Sequence, residues 1–540
     1  MSSAYSSLSR AQLTYEYLHT NSTTHEFLFG ALAELVDNSR DADATELYVY
    51  TVPNEKFRGG FIICFRDNGC GMDAVEVSQV IQFGRSSKRE AGSAQVGQYG
   101  NGLKSGTMRI GKDMMLFTKK DKTMSCLFLS RTFHEIEDIH EVIVPMPSWN
   151  VDTKEPYIAD GHSIERHEVE MSIIMKYSPF TSVDEIMKEF DKIPVKGTSV
   201  MIYNLKLMDN NMPELDIKKD EKDIIMADPH SGEVYDIDEN ILPEKLSFRA
   251  YLSIIYCEPR MKIFIQGEKV RTKKLVHTLY KPRTYIYTSN RFKKRSEIEA
   301  ENAESAAKIA EERAKELTTQ AREANSKYNP ATKEGRAAIQ LAVSKADQAK
   351  FDAEVKKRIA DAKRKSSKES KTLSFTFGFN IEKRRCDGIF IFNCNRLIKM
   401  YERVGLQTEG GMKGAGVVGV VDVPYLVLEP THNKQDFADH KEYKHLLKSM
   451  ADHLMQYWKD SKIENQGITK FWDDFGYTGQ WRDDPSNDPK FKMKRLMSVP
   501  CLVQCNKCLK WRTLSFTRKM VNYEVPSNWC CSDNPDTIFS

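Results

Sequence analysis

No apolar run in the 540 residues approaches the ~20 needed to cross a bilayer as a helix. The serine-rich opening also lacks the apolar stretch of a secretory leader. Cysteine is sparse, at 11, and without a secretory signal these thiols are expected to be reduced, in the nucleus or the cytosol. Charge of one sign is missing too, since 80 Lys and Arg face 76 Asp and Glu for a net +4, so bulk charge argues for no particular partner. Its distribution is more informative. Residues 291–371 hold 21 Lys and Arg against 14 Asp and Glu, an excess of seven that leaves −3 for everything else. A basic arm is therefore expected on a near-neutral body. The length predicts several domains, and 40% hydrophobic content is enough to build their cores.

The richest stretch is Glu34-Leu-Val-Asp37-Asn38-Ser-Arg-Asp41-Ala42. Residues three and four apart share a helix face, so Glu34, Asn38 and Asp41 project together while Leu28, Leu32, Leu35 and Val36 turn to a core. Thr23 with Glu26 three residues on predicts a capping box at the helix start. An ordinary solvated face would explain the polar flank equally well. The buried strand expected at Gly59–Phe65 then ends in Asp67-Asn-Gly69-Cys-Gly71-Met72, whose glycines let backbone approach a ligand. Gly97-Gln-Tyr-Gly100-Asn101-Gly102-Leu103-Lys104-Ser105 follows. A P-loop is excluded because its lysine must follow the second glycine directly, whereas Leu103 intervenes here. A dinucleotide fingerprint fails because the glycine order is reversed and no acidic residue follows at the required distance.

In this order the three motifs resemble the nucleotide site of the GHKL ATPases, the superfamily of gyrase, MutL and the histidine kinases. The resemblance implies ATP as ligand and Asn38 as the protein's oxygen ligand to Mg2+, with Asp41 on the same face. It implies Glu34 as the general base that readies water. Asp67 would accept from the adenine amino group, Gly69 and Gly71 would close on the base, and Thr198 would be a second adenine contact. Gly97, Gly100, Asn101, Gly102, Leu103, Lys104 and Ser105 would form a lid whose N–H groups and lysine surround the phosphates, joined by Ser86, Ser87 and Lys88 upstream. Lys88-Arg89 also reads as a basic surface loop, and Thr198 as an ordinary strand residue.

The implied fold is α+β: a GHKL (Bergerat) α/β sandwich over 23–208, then an S5-like transducer domain. Residues 1–22 would be a strap over a partner subunit, or a flexible leader. Further strands are expected at Asp113–Lys119, Met124–Ser130, Glu141–Val144 and Gly197–Leu205. Residues 209–246 read as a polar, acidic surface insertion or linker. The transducer would run over 247–290 and 372–490, with strands at Tyr251–Tyr256, Met261–Ile265, Leu373–Phe377, Gly388–Ile398 and Val417–Val423 and a helix over 440–461. A transducer sends one lysine back to the γ-phosphate, and Lys434 matches it, neutralising charge and reporting the triphosphate.

Residues 291–371 interrupt that domain as an antiparallel helical arm. Ala300, Ala303, Ala307, Ala310, Ala314, Leu317, Ala321, Ala324 and Tyr328 step by three and four, a coiled-coil seam that Asn329-Pro330 ends. The second helix continues with Ile339, Ala342, Ala346, Ala349 and Ala353, drifting to Val355, Ile359 and Ala362. Each helix should be on the order of 50 Å long, and Lys356-Lys-Arg358 with Lys363-Arg-Lys365 suits contact with DNA phosphates.

Over 491–540, Cys505-x-x-Cys508 with Lys510-Trp511-Arg512 and Trp529-Cys530-Cys531 resembles an incomplete CW zinc finger. The ligands implied for Zn2+ are Cys505, Cys508 and Cys531, the fourth lying just beyond or being replaced by Cys501 or Cys530. Leu502 stands where a reader of methyl-lysine has a cage tryptophan, so binding to methylated histone tails is not expected. A GHKL module followed by a CW finger resembles the microrchidia (MORC) ATPases. That resemblance implies an ATP-driven homodimer in the nucleus that binds DNA and chromatin, compacts it and silences genes with partner proteins, or else a nucleotide-stabilised scaffold with incidental hydrolysis. Kinase and MutL-like readings lack a phosphoacceptor bundle and a repair tail respectively.

Overall fold

The computed structural model describes residues 26–81, 102–158, 163–227, 242–289, 291–481, 483–517 and 525–534. The described residues open on helix α1 (Leu28–Asp41) and the antiparallel strands β1 (Glu46–Pro53) and β2 (Phe61–Asp67). Helix α2 (Gly102–Ile110) leads into β3 (Gly111–Lys120), β4 (Thr123–Ser130) and β5 (Ser148–Asn150). Helices α3 (Ile164–Tyr177) and α4 (Val183–Asp191) precede β6 (Gly197–Leu205). The strands form an eight-stranded sheet in the order β10-β9-β1-β2-β6-β3-β4-β5, where β9 is Lys262–Ile265 and β10 is Glu268–Lys269.

Strand β2 is an unbroken apolar run because both its faces are covered. Phe61, Ile63 and Phe65 pack with Leu32, Leu35 and Val36 of α1, whereas Ile62 and Cys64 pack with Ile174 of α3 and Phe190 of α4. The expected apolar flank of α1 is thus buried. Its expected cap is not seen. Phe27 occupies the N-cap without a side-chain bond, and its ring meets Tyr251 edge-on at 5.4 Å, so packing rather than capping fixes this end. Thr23 lies outside the described residues.

Four other expectations are corrected. Glu141–Val144 forms no strand; beside it the carbonyls of Pro145 and Pro147 accept from Phe128 and Cys126 of β4, and proline has no N–H to return the bond. Residues 209–246 are not wholly superficial, since Leu215, in β7 (Leu215–Asp216), and Ile224, just before its partner β8 (Ile225–Met226), are buried. Tyr251–Tyr256 falls largely within helix α5 (Phe248–Ile254) instead of a strand; a short apolar run does not by itself distinguish the two. Strand β9, placed by sequence in the second domain, pairs parallel to β1 in the first sheet.

The second sheet has the order β11-β12-β15-β13-β14, from β11 (Tyr280–Ser289), β12 (Lys371–Phe379), β13 (Gly388–Asn393), β14 (Arg396–Glu402) and β15 (Val417–Val423). The apolar run 388–398 is two strands, split where Cys394 and Asn395 take positive φ of 49° and 73°. Two left-handed residues make a tight hairpin turn, which leaves Arg396 at the head of β14. Phe390 and Phe392 face the core shared with α1, while Ile389 and Ile391 face the opposite way. That second core is closed by helix α8 (His440–Ser461) through Leu446, Met450, Leu454 and Trp458.

The arm is a hairpin of helices α6 (Lys294–Lys327) and α7 (Lys333–Ser367). Ala300, Ala310, Ala314 and Ala321 are buried against Ala346 and Ala360. The expected drift to Val355 and Ile359 does not occur, as both are exposed and the seventh-residue spacing runs on from Ala346 through Ala353 to Ala360. Arg358, Lys363 and Arg364 pair with Glu354, Glu299 and Glu304, so Lys356, Lys357 and Lys365 are the members of the basic group without an ion pair among the described residues.

Ser289 and Lys371 are direct partners across β11 and β12, so the arm leaves and re-enters at one point. Replacing residues 300–362 by a short glycine-serine turn is expected to leave the Tm of the rest unchanged within about 4 °C, as read by differential scanning calorimetry.

Candidate active site

Helix α1 carries its polar residues into the junction between the sheets. Glu34 and Asp37 are both buried, and so are Lys434 and Arg396 from the second sheet's side. Lys434 Nζ lies 3.0 Å from Glu34 Oε2 and 2.9 Å from Asp37 Oδ2. Arg396 Nε donates to both Asp37 oxygens at 3.0 Å, and the Tyr256 hydroxyl donates to Oδ1 at 2.7 Å. Two carboxylates and two cations therefore share one buried site. Lys434 reaches it from a turn in which it takes φ 51°. That turn is tied by Lys434 N–H to Thr431 O at 2.9 Å and by Thr431 N–H to Asp436 O at 2.8 Å. The next residue, Gln435, donates to Phe27 O at 3.2 Å and so clips the turn to the start of α1.

Burial pushes the Glu34 carboxyl up, with Lys434 opposing and Asp37 reinforcing the shift. A raised value makes a stronger base. Glu34 Oε1 is buried with no hydrogen-bond partner among the described residues, which leaves it a lone pair for a water or hydroxyl. Burial also works against charge on Asp37, yet Arg396 and Lys434 outweigh it and bring that carboxyl to about 2. Burial disfavours the Lys434 cation, but Asp37 and Glu34 prevail and its value is raised.

The Glu34 carboxylate also fills the space that a side chain at Gly102 would need, since a Cβ there would stand 2.2 Å from Oε2. A larger residue where α2 begins against α1 would therefore displace the Glu34 carboxylate from its place beside Lys434. The expected lid is in part this helix: Gly102, Leu103, Lys104 and Ser105 form its first turn. Its N–H groups suit an anion. Lys104 is buried, donates to Val80 O at 2.9 Å, and is lowered by burial to about 8. Gly97, Gly100 and Asn101, with Ser86, Ser87 and Lys88, lie outside the described residues.

At the far end of α1, Asp67 accepts from Ser39 Oγ at 3.0 Å and from Gly69 N–H at 2.8 Å, while burial raises its value. Thr198 is its register partner across β2 and β6. Gly71 has φ 68°, and a Cβ there would lie 2.1 Å from Lys119 O. Sequence reading did not single out Thr118, which receives the Met72 N–H at 2.8 Å and donates to Gly197 O at 3.2 Å. Asn38 and Asp41 are half-buried on α1, and the Asn38 amide has no hydrogen-bond partner among the described residues. An open amide, an orphaned carboxylate oxygen and a glycine-lined cradle fit a magnesium nucleotide. Asp37, Arg396 and Tyr256 were also missed; the one signal was Asp37 lying a turn after Glu34 on the same helix.

The second site is the hairpin of β16 (Cys501–Gln504) and β17 (Trp511–Leu514). The Sγ atoms of Cys505, Cys508 and Cys531 lie within 4.8 Å of one another, with Cys508 and Cys531 3.6 Å apart. Zn–S bonds of about 2.3 Å put tetrahedral sulfurs about 3.8 Å apart, so this donor set fits zinc. Neither Cys501 nor Cys530 joins it; Cys530 Sγ donates to Asn528 O at 3.4 Å. The hairpin rests on the first sheet's edge, with Gln504 Nε2 donating to Pro259 O at 3.2 Å and Lys274 Nζ 5.7 Å from the centre of the Trp511 ring. Leu502 pairs with Thr513 beside it.

Comparison with known proteins gives three family matches. Residues 25–165 match the histidine kinase-, DNA gyrase B- and HSP90-like ATPase model, 336–458 the Morc6 ribosomal protein S5 domain 2-like model, and 501–540 the CW-type zinc finger. The chain is 58% identical to ATPase MORC2A of Mus musculus and 57% identical to ATPase MORC2 of Homo sapiens, each over 98% of this chain and 51% of the relative. It is 31% identical to ATPase morc-1 of Caenorhabditis elegans over 84% of this chain and 52% of that relative. The chain thus spans about half the length of the curated relatives it matches. Among the described residues no helix is long and apolar enough to cross a membrane.

Because the folded Asp37 value is depressed from 3.8 to about 2, its stabilisation is complete above the unfolded value and is lost as pH falls through the folded one. In urea unfolding, the advantage of the wild type over Asp37→Asn is expected to shrink by about 2 kcal/mol between about pH 5 and about pH 2. For the finger, a zinc chelator is expected to release about one metal ion per chain and alter the fluorescence of the buried Trp529. Cys508→Ser should abolish the bound metal by elemental analysis.

Proposed function

Because this chain belongs to the MORC family of CW-type zinc finger ATPases and carries a GHKL-type ATPase domain, we propose that it is an ATP-driven dimerising clamp acting on DNA in chromatin. The reading is supported above all by Lys434, which comes from the second sheet's side to sit on the carboxylates of α1. A lysine so placed can sense a terminal phosphate and tell the second domain that it has arrived.

Each residue then has a defined task. Asp67 and Thr198 receive the adenine, and Gly69 and Gly71 admit its ring edge. Asn38 offers its amide oxygen to Mg2+, with Asp41 beside it. The ion, when bound, neutralises charge on the phosphate oxygens. The first turn of α2, from Gly102 to Ser105, presents N–H groups to the phosphates. Glu34 orients the attacking water and takes its proton, and Lys434 moves from Glu34 to the terminal phosphate.

With triphosphate bound, these contacts favour two heads closing together, and hydrolysis releases them. The unpaired lysines of the arm and other basic surfaces would hold DNA phosphates without reading sequence. Such a clamp would compact DNA and silence genes in the nucleus, recruited by silencing proteins. A methylated histone tail is not expected as ligand, since Lys274 of the same chain already faces Trp511.

A non-hydrolysable ATP analogue should shift the wild type to a dimer on sizing chromatography and leave Asn38→Ala monomeric. No shift in the wild type would overturn the clamp. Glu34→Ala should keep nucleotide binding and lower turnover by about 100-fold or more; silencing that is undisturbed by this variant would favour a nucleotide-stabilised scaffold.

A further inference from the structure

The four buried charges are not held alike. Asp37 accepts from three groups, Arg396, Tyr256 and Lys434. Arg396 is anchored in turn by Leu397 O at 2.5 Å and the Tyr251 hydroxyl at 3.4 Å. If the lysine withdrew, Asp37 and Arg396 would still satisfy each other. Glu34, by contrast, has Lys434 as its one side-chain partner among the described residues, and its second oxygen has none. The turn holding Lys434 is tied down at both ends, so the lysine can change partners only by rotating its side chain.

Resting on the nucleotide reading above, we propose that Asp37 and Arg396 are positioning residues for hydrolysis. Together they form a fixed post that keeps Lys434 beside the Glu34 carboxylate and in register for the terminal phosphate of a nucleoside triphosphate. The pair joins α1 to β14, so the lysine is correctly placed only when the second sheet is seated on that helix. Holding the two layers together would not by itself call for charge, because apolar groups of similar size serve buried contacts at least as well. What the charged post adds is a second anchoring point for a lysine that must be released and recovered in every cycle.

The test removes the post as a neutral whole, in Asp37→Asn with Arg396→Met, so that neither ion is left buried alone. Affinity for a fluorescent ATP analogue and the single-turnover hydrolysis rate are both measured. The expected result is affinity within about 2-fold of the wild type and a rate lower by about 10-fold or more. A rate within about 2-fold of the wild type, or affinity and rate falling together as from general loosening, would overturn the proposal. Tyr256→Phe removes one hydroxyl and decides the matter alone if the double variant does not fold: about 3-fold slower at unchanged affinity supports the post, and an unchanged rate refutes it. Wild-type protein that binds no ATP analogue would take down the nucleotide reading itself. Wild type that binds and hydrolyses, with variants indistinguishable from it, would take down this inference alone.

Discussion

The structure depends on a carboxylate pair on one helix being neutralised by a lysine and an arginine that arrive from another sheet. Breaking such a buried pair on one side costs about 3–5 kcal/mol, so in this arrangement Lys434 and Arg396 offset the burial of Glu34 and Asp37. Most of the surrounding architecture serves that meeting. The tight turn at Cys394 and Asn395 sets Arg396 at the head of its strand, and the Gln435 bond to Phe27 fixes the lysine turn against α1.

The same packing would let the proposed site change state without the fold coming apart. Apolar residues of α1, α5 and both sheets form one continuous core, which holds the two domains together whatever Lys434 does. In the proposed cycle only the lysine need move, away from Glu34 and still beside Asp37. The arm and the finger are peripheral to this core. One leaves and returns at a single strand pair, and the other rests on the edge of the first sheet through a few polar contacts and a cation over a ring.

The parts legible in the sequence were those whose physics is local. Helical spacing placed Glu34 and Asn38 on α1, and three-and-four spacing with Asn329-Pro330 gave the arm its helices and its break. Lys434 could be found only through family resemblance, since nothing near it in sequence distinguishes it from a surface lysine. Asp37 was passed over because its partner Arg396 is 359 positions away, a distance no pattern spans. The helix at 248–254 was misread as a strand, and the strand at 262–265, read as a strand, was assigned to the wrong sheet, for related reasons. A short apolar run has no period long enough to separate helix from strand, and pairing β9 with β1 is a tertiary choice. Burial of Lys104 likewise follows from α2 packing on α1, not from its own neighbours in the chain.

The most direct measurement is a crystal structure of the wild type with Mg2+ and a non-hydrolysable ATP analogue. The account predicts Lys434 Nζ within hydrogen-bonding distance of a terminal phosphate oxygen and released from Glu34, with the Asp37–Arg396 pair unchanged. A triphosphate bound in the cradle while Lys434 still bridges Glu34 and Asp37 would contradict it.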